Sequence, residues 1–449
     1  MTRWRGWLAG GMARVGASEA AGVSLVKSVR VSVLASVRVS ALASVLASAL
    51  VLVPLSPLMI TAASAAGPPA LLNFTPHELS RILRHGPWPP PPARDAGNAL
   101  AGRPEAIALG QQLFFDARLS SDGRLACASC HRPTLAFADG LPRGRGRSLL
   151  ARNTPTLWNA VHERWLGWDG AADSLWSQHL QPLGAASEMA ASAAQVRATL
   201  AGDPELSCRW QQVFGAQVPI DAESALVGTA KAIAAFVGTL VSARTPFDDF
   251  RDALARGDST AAARYPLPAQ RGLRLFVGAG QCSTCHVGPR FSHGEFGDIG
   301  VPFFVRPGVV DPGRHGGIAA LRASAYNLLS RWNDDPAGEA TLKTRHVQAE
   351  QRNFGEFKVP GLRNVVLTAP YMHNGSLPTL DAVVRHYDQM DPDRVHADGE
   401  QILRPLRLNE AQRADLVAFL GTLSDPAANT WQPAALAPCA KATASPGKP

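Results

Sequence analysis

The chain has 449 residues and a formal net charge of +8. Six Lys and Arg side chains lie in the first 65 residues against one acidic residue, so the rest of the chain holds 38 basic and 35 acidic residues. The basic balance therefore does not indicate a nucleic-acid partner. The remaining 384 residues are enough for two domains with sizeable cores.

The first 65 residues have the composition of an export signal. Basic residues are followed by an uncharged run over 39–77, which contains the small-residue cleavage signature Ala63-Ser64-Ala65. We predict a signal peptide over residues 1–65, cleaved after Ala65, and a periplasmic location. An uncleaved N-terminal membrane anchor is the alternative, because the apolar run approaches the roughly 20 residues that span a bilayer. Pro54 and Pro57 argue against the anchor.

Residues 66–103 are predicted to form an N-terminal extension. Its stretch 75–85 has the pattern of a short helix, and the proline-rich run 86–92 ends that helix in a stiff, extended connector. No function is expected in the connector.

The sequence Cys-x-x-Cys-His occurs twice, at 127–131 and 282–286. In this pentad the two thiols add across the haem vinyl groups, and the histidine becomes the proximal iron ligand. A zinc site or a thioredoxin-like redox pair is the alternative, but neither copy has the further Cys or His partners that zinc needs at short spacing. We therefore predict two covalently bound haem c groups. The attachment residues are Cys127, Cys130, Cys282 and Cys285, and the proximal ligands are His131 and His286.

The two pentads follow the same local plan. A helix that begins near Pro104 and a turn at Asp122-Gly123 precede the first pentad, and a helical stretch at 270–276 and a glycine turn precede the second. This repetition predicts an all-α protein of two cytochrome c-like helical domains, each with one haem. Their predicted limits are 104–245 and 246–425.

Further helices are predicted at 190–200, 222–241 and 409–423, the last capped by Asn409. The stretch 301–352 is rich in Gly and Pro and is predicted to be a surface excursion around the second haem. Residues 426–449 are predicted to be a disordered tail. The remaining cysteines, Cys208 and Cys439, either form a disulfide, which an oxidising periplasm permits, or stay as two unpaired thiols.

Six ordered motifs resemble those of the bacterial dihaem cytochrome c peroxidase and MauG family. They are RNTPT at 152–156, WDG at 168–170, SLWSQ at 174–178, EM at 188–189, FKVPGLRN at 357–364 and TAPYMHNG at 368–375. The resemblance covers about residues 72–425. It implies that the N-terminal haem is the peroxidatic one and that the C-terminal haem transfers electrons to it.

The resemblance also implies roles for three residues near the first haem. Glu188 is the expected distal acid and base, and Gln178 the expected hydrogen-bond donor to bound oxygen. A carboxylate in an apolar pocket suits the proton transfers of O–O cleavage. Trp168 matches the tryptophan that relays electrons between the haems. The alternatives are a surface glutamate that caps a helix and a simple core tryptophan.

A calcium site at the domain interface is a further implication of the resemblance. Its expected ligands are the Asn153 side chain and the backbone carbonyls of Thr368 and Pro370, which are the oxygen donors that a hard cation prefers. The alternative is that Asn153 only ties down a loop.

The chain departs from the typical peroxidases of the family at two places. Those peroxidases carry a histidine that blocks the peroxidatic iron in the loop that here spans 139–151, and this loop contains none. The first haem is therefore expected to be five-coordinate. Typical members place a methionine ligand of the second haem at the position that Tyr387 occupies here. A tyrosine ligand at this position is the MauG-like choice, and a tyrosinate favours ferric iron. Met390 is the alternative ligand.

These features predict a periplasmic peroxidase that reduces hydrogen peroxide with electrons from a small cytochrome c or cupredoxin. The alternative is a MauG-like oxidase that modifies a partner protein. Tyr387 favours the oxidase, whereas Gly280, at the position of a surface tryptophan in MauG, argues against it. A plain electron carrier is the third reading, against which Glu188 and Gln178 argue. The sequence is compatible with a homodimer and does not test it.

Overall fold

The computed structural model describes residues 70–301, 304–306, 308–391 and 403–439. The predicted signal peptide or membrane anchor at 1–65 lies outside these residues. Within them, no helix is both long enough and apolar enough to cross a bilayer.

The described residues are rich in helix, as the predicted all-α class requires. In the first half of the chain the helices are α1 Pro76–Leu83, α2 Pro104–Phe114, α3 Cys127–Cys130, α4 Leu175–Gly184, α5 Ala193–Gly202, α6 Pro204–Phe214 and α7 Ala222–Val237. In the second half they are α8 Pro246–Ala255, α9 Ser259–Ala262, α10 Leu267–Val277, α11 Arg314–Ala323, α12 Ala340–His346, α13 Leu380–Asp388 and α14 Glu410–Gly421. Two short antiparallel ladders also occur, which the sequence did not predict. Strand β1 Phe296–Gly297 pairs with β4 Phe357–Lys358, and β2 Phe304–Arg306 pairs with β3 Val309–Val310.

Local sequence signals account for the helix ends. Thr75 and Asn409 each accept a hydrogen bond from the third helical residue of α1 and α14, whose side chain accepts one in return. These capping boxes satisfy two of the amides that a helix start leaves unpaired. Asp203 and Asp221 cap α6 and α7 through their carboxylates. The structure confirms the predicted helices at 75–85, near 104, 190–200, 222–241, 270–276 and 409–423, with small shifts of their ends.

The described chain forms two hydrophobic cores. Core one is built mainly from residues between 100 and 240, and core two from residues 247–291 and 380–423 together with Ile82 of α1. Helix α2 packs on α7 in core one, and α10 packs on α14 in core two. The predicted limit between 245 and 246 falls in the gap between these two sets of residues.

A glycine lies at the crossing point of each of these helix pairs. A methyl group on Gly110 of α2 would overlap the carbonyl oxygen of Ala232 in α7, and one on Gly272 of α10 would overlap that of Asp415 in α14. Because neither glycine carries a side chain, the two backbones approach closely in both cores.

Two asparagines fix the chain next to the two helix pairs in the same way. The side-chain oxygen of Asn159 accepts a hydrogen bond from the Ser242 amide at 2.9 Å, and that of Asn364 accepts one from the Asp425 amide at 2.8 Å. Both asparagines have left-handed backbones, with φ of 65° and 63°, which Asn tolerates better than most residues. The two cores therefore share both the packing of the helix pair and a hydrogen bond from a backbone amide to an asparagine side chain.

The stretch 301–352 was predicted to lie around the second haem, and the structure corrects this location. The part from 314 to 346 packs against core one, because the buried carboxylate of Asp173 accepts hydrogen bonds from the Leu328 amide at 2.9 Å and the Thr344 hydroxyl at 2.7 Å. Lys343 donates to the Asp173 carbonyl at 2.7 Å. The Gly and Pro content of this stretch gave no indication of the surface on which it packs.

The predicted disordered tail at 426–449 is also corrected for its described part. Residues 426–439 pack against core one: Ala428 is buried in that core and Trp431 contacts it. Cys439 forms a disulfide with Cys208 of α6, which decides between the two alternatives for these cysteines. A single large aromatic residue supplies the packing that the Ala- and Pro-rich composition did not suggest. Residues 440–449 lie outside the described chain.

The proline-rich connector is an anchored segment and not only a spacer. Trp88 is 2% exposed, and its indole nitrogen donates to the Ser242 carbonyl at 2.9 Å. The guanidinium of Arg363 lies 3.7 Å from the Trp88 ring centroid, a cation–π contact. Arg363 also pairs with Asp248 at 2.7 Å, and both side chains are 1% exposed. The connector thus covers a buried ion pair at the edge of core two.

Candidate functional site

A cavity of about 460 Å³ opens beside the first pentad. Its wall contains most of the residues that the sequence predicted for the first haem site, together with three basic residues from the second half of the chain. The residues predicted for the first haem are Cys127, Cys130, His131, Trp168, Gln178 and Glu188, and the basic residues are Arg290, Lys358 and Arg363; the predicted calcium ligand Asn153 also lines the wall. The structure therefore brings the attachment cysteines, the proximal histidine and the proposed distal residues into one cavity.

The first pentad presents a neutral imidazole. His131 donates from Nδ1 to the Phe137 carbonyl oxygen at 3.0 Å, which leaves Nε2 as the atom with a free lone pair. Burial lowers the pKa of His131. A neutral imidazole whose second nitrogen is held by a carbonyl is the usual arrangement of a metal-binding histidine. The donor set of the pentad therefore fits a covalently bound haem.

The second pentad has the same arrangement. His286 is hydrogen-bonded from Nδ1 to the Phe291 carbonyl at 2.9 Å, and burial lowers its pKa to about 4. Phe137 and Phe291 both have left-handed backbones, with φ of 56° and 58°. This unusual conformation for a bulky residue turns each carbonyl toward the proximal histidine.

Tyr387 in α13 lies close enough to both cysteines of the second pentad for their charges to affect its pKa. Burial raises the pKa of the Tyr387 phenol, and Cys282 and Cys285 add to the rise. In the haem-bound state these sulfurs are neutral thioethers, so burial is the cause that remains. A phenolate is stable there only opposite a cation such as ferric iron. Met390 is also buried, two residues beyond the end of α13, so both candidate ligands stay open.

The two residues predicted for the distal side of the first haem are an acid, Glu188, and an amide with an unpaired acceptor oxygen, Gln178. Burial alone raises the pKa of Glu188. The side-chain oxygen of Gln178 is buried and, among the described residues, has no hydrogen-bond partner. An unpaired buried acceptor is costly unless a bound molecule satisfies it. Gln178 and Glu188 therefore make part of the cavity wall polar, which suits a small molecule with O–H groups.

The loop 139–151 is fastened to the backbone beside Glu188. The Arg147 amide donates to the Glu188 carbonyl at 3.3 Å, and the Ser148 amide donates to the Ser187 carbonyl at 3.1 Å. A methyl group on Gly146 would come within 2.7 Å of the Glu188 Cα atom. The loop thus supports the backbone of Glu188, the predicted distal acid, and carries no histidine that could block the cavity.

His179 is a cavity residue that the sequence analysis missed. It follows Gln178 in α4, is 8% exposed and hydrogen-bonds from Nδ1 to the Leu175 carbonyl at 2.6 Å. Burial lowers its pKa to about 4, so the ring is neutral. The sequence signal for it is the histidine that directly follows the SLWSQ motif.

Trp168 connects chain segments that reach the two pentads. Its indole nitrogen donates to the Asn153 carbonyl at 2.9 Å, and its own carbonyl accepts from the Lys358 amide at 2.8 Å. The nearby carbonyls of Pro155 and Pro360 each interact with a proximal histidine, His131 and His286 respectively. Trp168 is therefore bonded to both of the segments that carry these carbonyls.

Asn153 lies next to the segment that contains the other predicted calcium ligands. Its backbone amide donates to the His373 carbonyl at 2.8 Å, and its side-chain nitrogen donates to the Leu141 carbonyl at 2.8 Å. Asn153 thus ties down the loop 139–151. Within the described residues there is no group of three or more His, Cys, Asp or Glu that could hold a metal ion. That finding does not bear on a site of amide and carbonyl oxygens, so calcium stays a prediction.

Part of the cavity wall is basic. Arg290 and Lys358 both pair with the partly buried Glu163, at 2.8 and 3.0 Å. Burial raises the pKa of Glu163, but the charges of Lys358 and Arg290 outweigh it and lower that pKa overall. Two cations against one acid leave a positive charge that suits an anionic group such as a haem propionate. Sequence reasoning missed this cluster because its members are far apart in the chain.

Comparisons with known proteins agree with these features. A family profile described as "Di-haem cytochrome c peroxidase" matches residues 104–256, and one described as "RoxA-like, cytochrome c-like" matches residues 357–390. The chain is 36% identical over 330 residues to the methylamine utilization protein MauG of Methylorubrum extorquens, which covers 73% of this chain and 80% of that protein. It is 34% identical over 377 residues to the cytochrome-c peroxidase IdrP2 of a Pseudomonas species, with coverages of 82% and 89%.

Two solved structures are similar in fold. One is a MauG-like protein associated with microbial copper homeostasis, with a TM-score of 0.59, 26% identity and coverage of 77% of this chain and 96% of the other. The second is the diheme peroxidase BthA from Burkholderia thailandensis, with a TM-score of 0.57, 26% identity and coverages of 76% and 90%.

Proposed function

This chain belongs to the dihaem cytochrome c peroxidase and MauG family of oxidoreductases, and from that premise we propose that it reduces hydrogen peroxide in the periplasm. The family implies haem c cofactors, and the proposal assigns one to each pentad. In this proposal, residues 104–245 and 246–425 are two cytochrome c-like domains. The first holds the peroxidatic haem and the second the electron-transfer haem.

One observation supports this assignment above the others. Glu188 and the unpaired oxygen of Gln178 line the same cavity as the attachment residues and proximal histidine of the first pentad. Tyr387 lies near the cysteines of the second pentad, and burial raises the pKa of its phenol. A site for a small substrate therefore fits the first pentad, whereas Tyr387 or Met390 would supply a second iron ligand at the second pentad.

The residues of the first cavity account for the proton movements. The haem, when bound, supplies the iron that passes two electrons to peroxide. The Glu188 carboxylate takes a proton from one peroxide oxygen and delivers it to the other as the O–O bond breaks. Two electrons and two protons from outside convert one peroxide into two waters. Burial of Glu188 favours this cycle, because a carboxyl with a raised pKa both accepts and returns a proton readily.

We propose that electrons enter through the second haem from a small cytochrome c or cupredoxin and cross to the first by way of Trp168. The indole of Trp168 is bonded to the Asn153 segment and its backbone carbonyl to the Lys358 segment, so Trp168 joins the two segments that lead to the proposed proximal histidines. A calcium ion held by Asn153, Thr368 and Pro370 is part of the proposal, because it would fasten these segments to each other.

A MauG-like oxidase that modifies a partner protein is the second candidate. The position of Tyr387 beside the second pentad and the loop 139–151 without histidine favour it. Gly280 argues against it, because the surface tryptophan through which MauG draws electrons from its protein substrate is missing there. Rapid turnover of peroxide with reduced cytochrome c supports the peroxidase. Negligible turnover together with a long-lived oxidised state supports the oxidase.

The variant Glu188→Gln tests the proposed acid and base. We expect it to keep both haems and to lose at least the ~10²-fold in kcat/KM that general acid–base catalysis contributes. Because the carboxylate must be ionised to take a proton, kcat/KM of the unaltered enzyme should fall as the pH drops through the raised pKa of Glu188. This limb should be absent in the variant. Glu105→Gln, at an exposed position in α2, is the control. Turnover of Glu188→Gln close to that of the control would remove Glu188 from the mechanism.

A further inference from the structure

The ring of Phe137 lies in an aromatic cluster next to the proximal histidine. Its carbonyl accepts the Nδ1–H of His131 at 3.0 Å, so the position of this residue sets the geometry of that hydrogen bond. The ring contacts Phe114 at 6.2 Å, Trp158 at 5.5 Å and Trp431 at 5.2 Å between centroids. Because its backbone is in the unfavourable left-handed region, Phe137 depends on these contacts to keep its conformation.

Trp431 differs from the other members of the cluster because it comes from the far end of the chain. It also contacts Phe236 at 5.9 Å and stacks on Phe115 at 6.5 Å. Phe114 and Phe236 belong to the α2–α7 pair, and the corresponding pair in core two is α10–α14. Trp431 belongs to residues 425–439, which we term the C-terminal strap.

The C-terminal strap is fastened on both sides of Trp431. At its start, the Asp425 amide donates to the Asn364 side chain at 2.8 Å. Beyond Trp431, Ala434 exchanges two hydrogen bonds with the Gln111 side chain, at 2.7 and 3.2 Å. The disulfide between Cys208 and Cys439 closes the far end. The indole is therefore held against Phe137 by fixed points and not by its own packing alone.

We propose that Trp431 is a positioning residue for the proximal ligand of the first haem, and that the disulfide-closed strap keeps it in place. The proposal rests on the assignment of His131 as that ligand. A firm hydrogen bond from Nδ1 to a carbonyl makes the imidazole a more basic ligand, which stabilises ferric iron and lowers the reduction potential. Trp431 thus sets the potential of the peroxidatic haem through Phe137, without contact with His131 being required.

Core two provides an internal reference. The ring of Phe291, whose carbonyl accepts from His286, is covered by His85 of the N-terminal extension, with stacked rings 4.5 Å apart. Trp431 is not part of that cluster in the described structure. A change at Trp431 is therefore expected to alter the first haem only.

The test is Trp431→Ala in the intact holoprotein, with the disulfide formed and two attached haems verified by mass. We expect the potential of the first haem to rise and its ferrous Fe–His stretching frequency, measured by resonance Raman spectroscopy, to fall. The potential of the second haem should be unchanged. Trp431→Phe should restore most of the difference. Cys439→Ser should shift the first haem in the same direction by a smaller amount.

The matched control is Trp332→Ala, because Trp332 also packs at the edge of core one but its ring is stacked against Arg331. An unchanged first-haem potential and stretching frequency in Trp431→Ala would overturn the proposal, and so would equal shifts in both alanine variants. If Trp431→Ala does not fold, Trp431→Leu is judged by the same criteria. Absence of haem from the first pentad, read from the mass of the unaltered protein, would instead refute the proposed function on which this inference rests.

Discussion

His131 in core one and His286 in core two donate to phenylalanine carbonyls at 3.0 and 2.9 Å. The rings of those phenylalanines rest on equivalent partners: Phe114 lies 6.2 Å from Phe137, and Phe276 lies 6.0 Å from Phe291. On the opposite side the two regions differ. The first pentad opens on a cavity with Glu188 and Gln178, and the second has Tyr387 near its cysteines.

This comparison separates what the repeat provides from what each copy adds. The helix pair, the pentad and the left-handed phenylalanine supply a proximal side suited to haem in both cores. The proposed difference in function would come from segments outside that plan: α4, the loop 139–151 and α13. In this proposal one scaffold carries an open, reactive haem and a closed, electron-transferring haem, because the distal side is built separately.

After the loss of Glu188 itself, the largest effect is expected from Gly146→Ala, which acts on the loop beside Glu188 in core one. The added methyl group would force the loop 139–151 away from Glu188, and a displacement of a catalytic group by about 1 Å costs on the order of 10²-fold in rate. Peroxide turnover should fall by roughly 10- to 100-fold while both haems stay attached. Gly184→Ala is the control, because a methyl group there meets no atom within 4 Å. Equal turnover in the two variants would show that the loop does not position Glu188.

A smaller and symmetrical effect should follow from alanine at the two helix crossings. Gly110→Ala and Gly272→Ala each place a methyl group on a facing backbone carbonyl. Overpacking of this kind costs about 1–3 kcal/mol of unfolding free energy. Denaturant unfolding, followed by the absorbance of the two haems, should show similar losses for both variants and none for Gly202→Ala, where the methyl group meets no neighbour. A loss for only one of the two would indicate that the cores do not share one plan.

Much of this organisation could be predicted from the sequence where the signals are local. The proline-rich run after 75–85 and the capping residue Asn409 indicated α1 and α14, and the pentads indicated the two histidines whose Nδ1 atoms are held by carbonyls. The motif residues Trp168, Gln178 and Glu188 do line one cavity. The structure places these residues together as the sequence predicted, because each local signal depends on a few neighbouring residues whose chemistry is specific, while their roles stay predictions.

Contacts between distant segments could not be predicted. Asp173 binds Leu328 and Thr344 across more than 150 residues, and Trp431 reaches Phe137 across nearly 300. No local pattern encodes such pairings, since the Gly-rich stretch 301–352 and the tail differ little in composition from mobile segments. The two corrected predictions, the location of 301–352 and the disorder of 426–439, both relied on composition.

The most direct test of the account is the electron paramagnetic resonance spectrum of the fully ferric protein, recorded also for Tyr387→Phe and Met390→Leu. An open cavity at the first pentad and a tyrosine at the second predict one high-spin, five-coordinate haem and one low-spin haem. They also predict that Tyr387→Phe alters only the low-spin signal and that Met390→Leu leaves the spectrum unchanged. Two six-coordinate low-spin haems, or a low-spin signal that depends on Met390 and not on Tyr387, would contradict the proposed division of labour between the two cores.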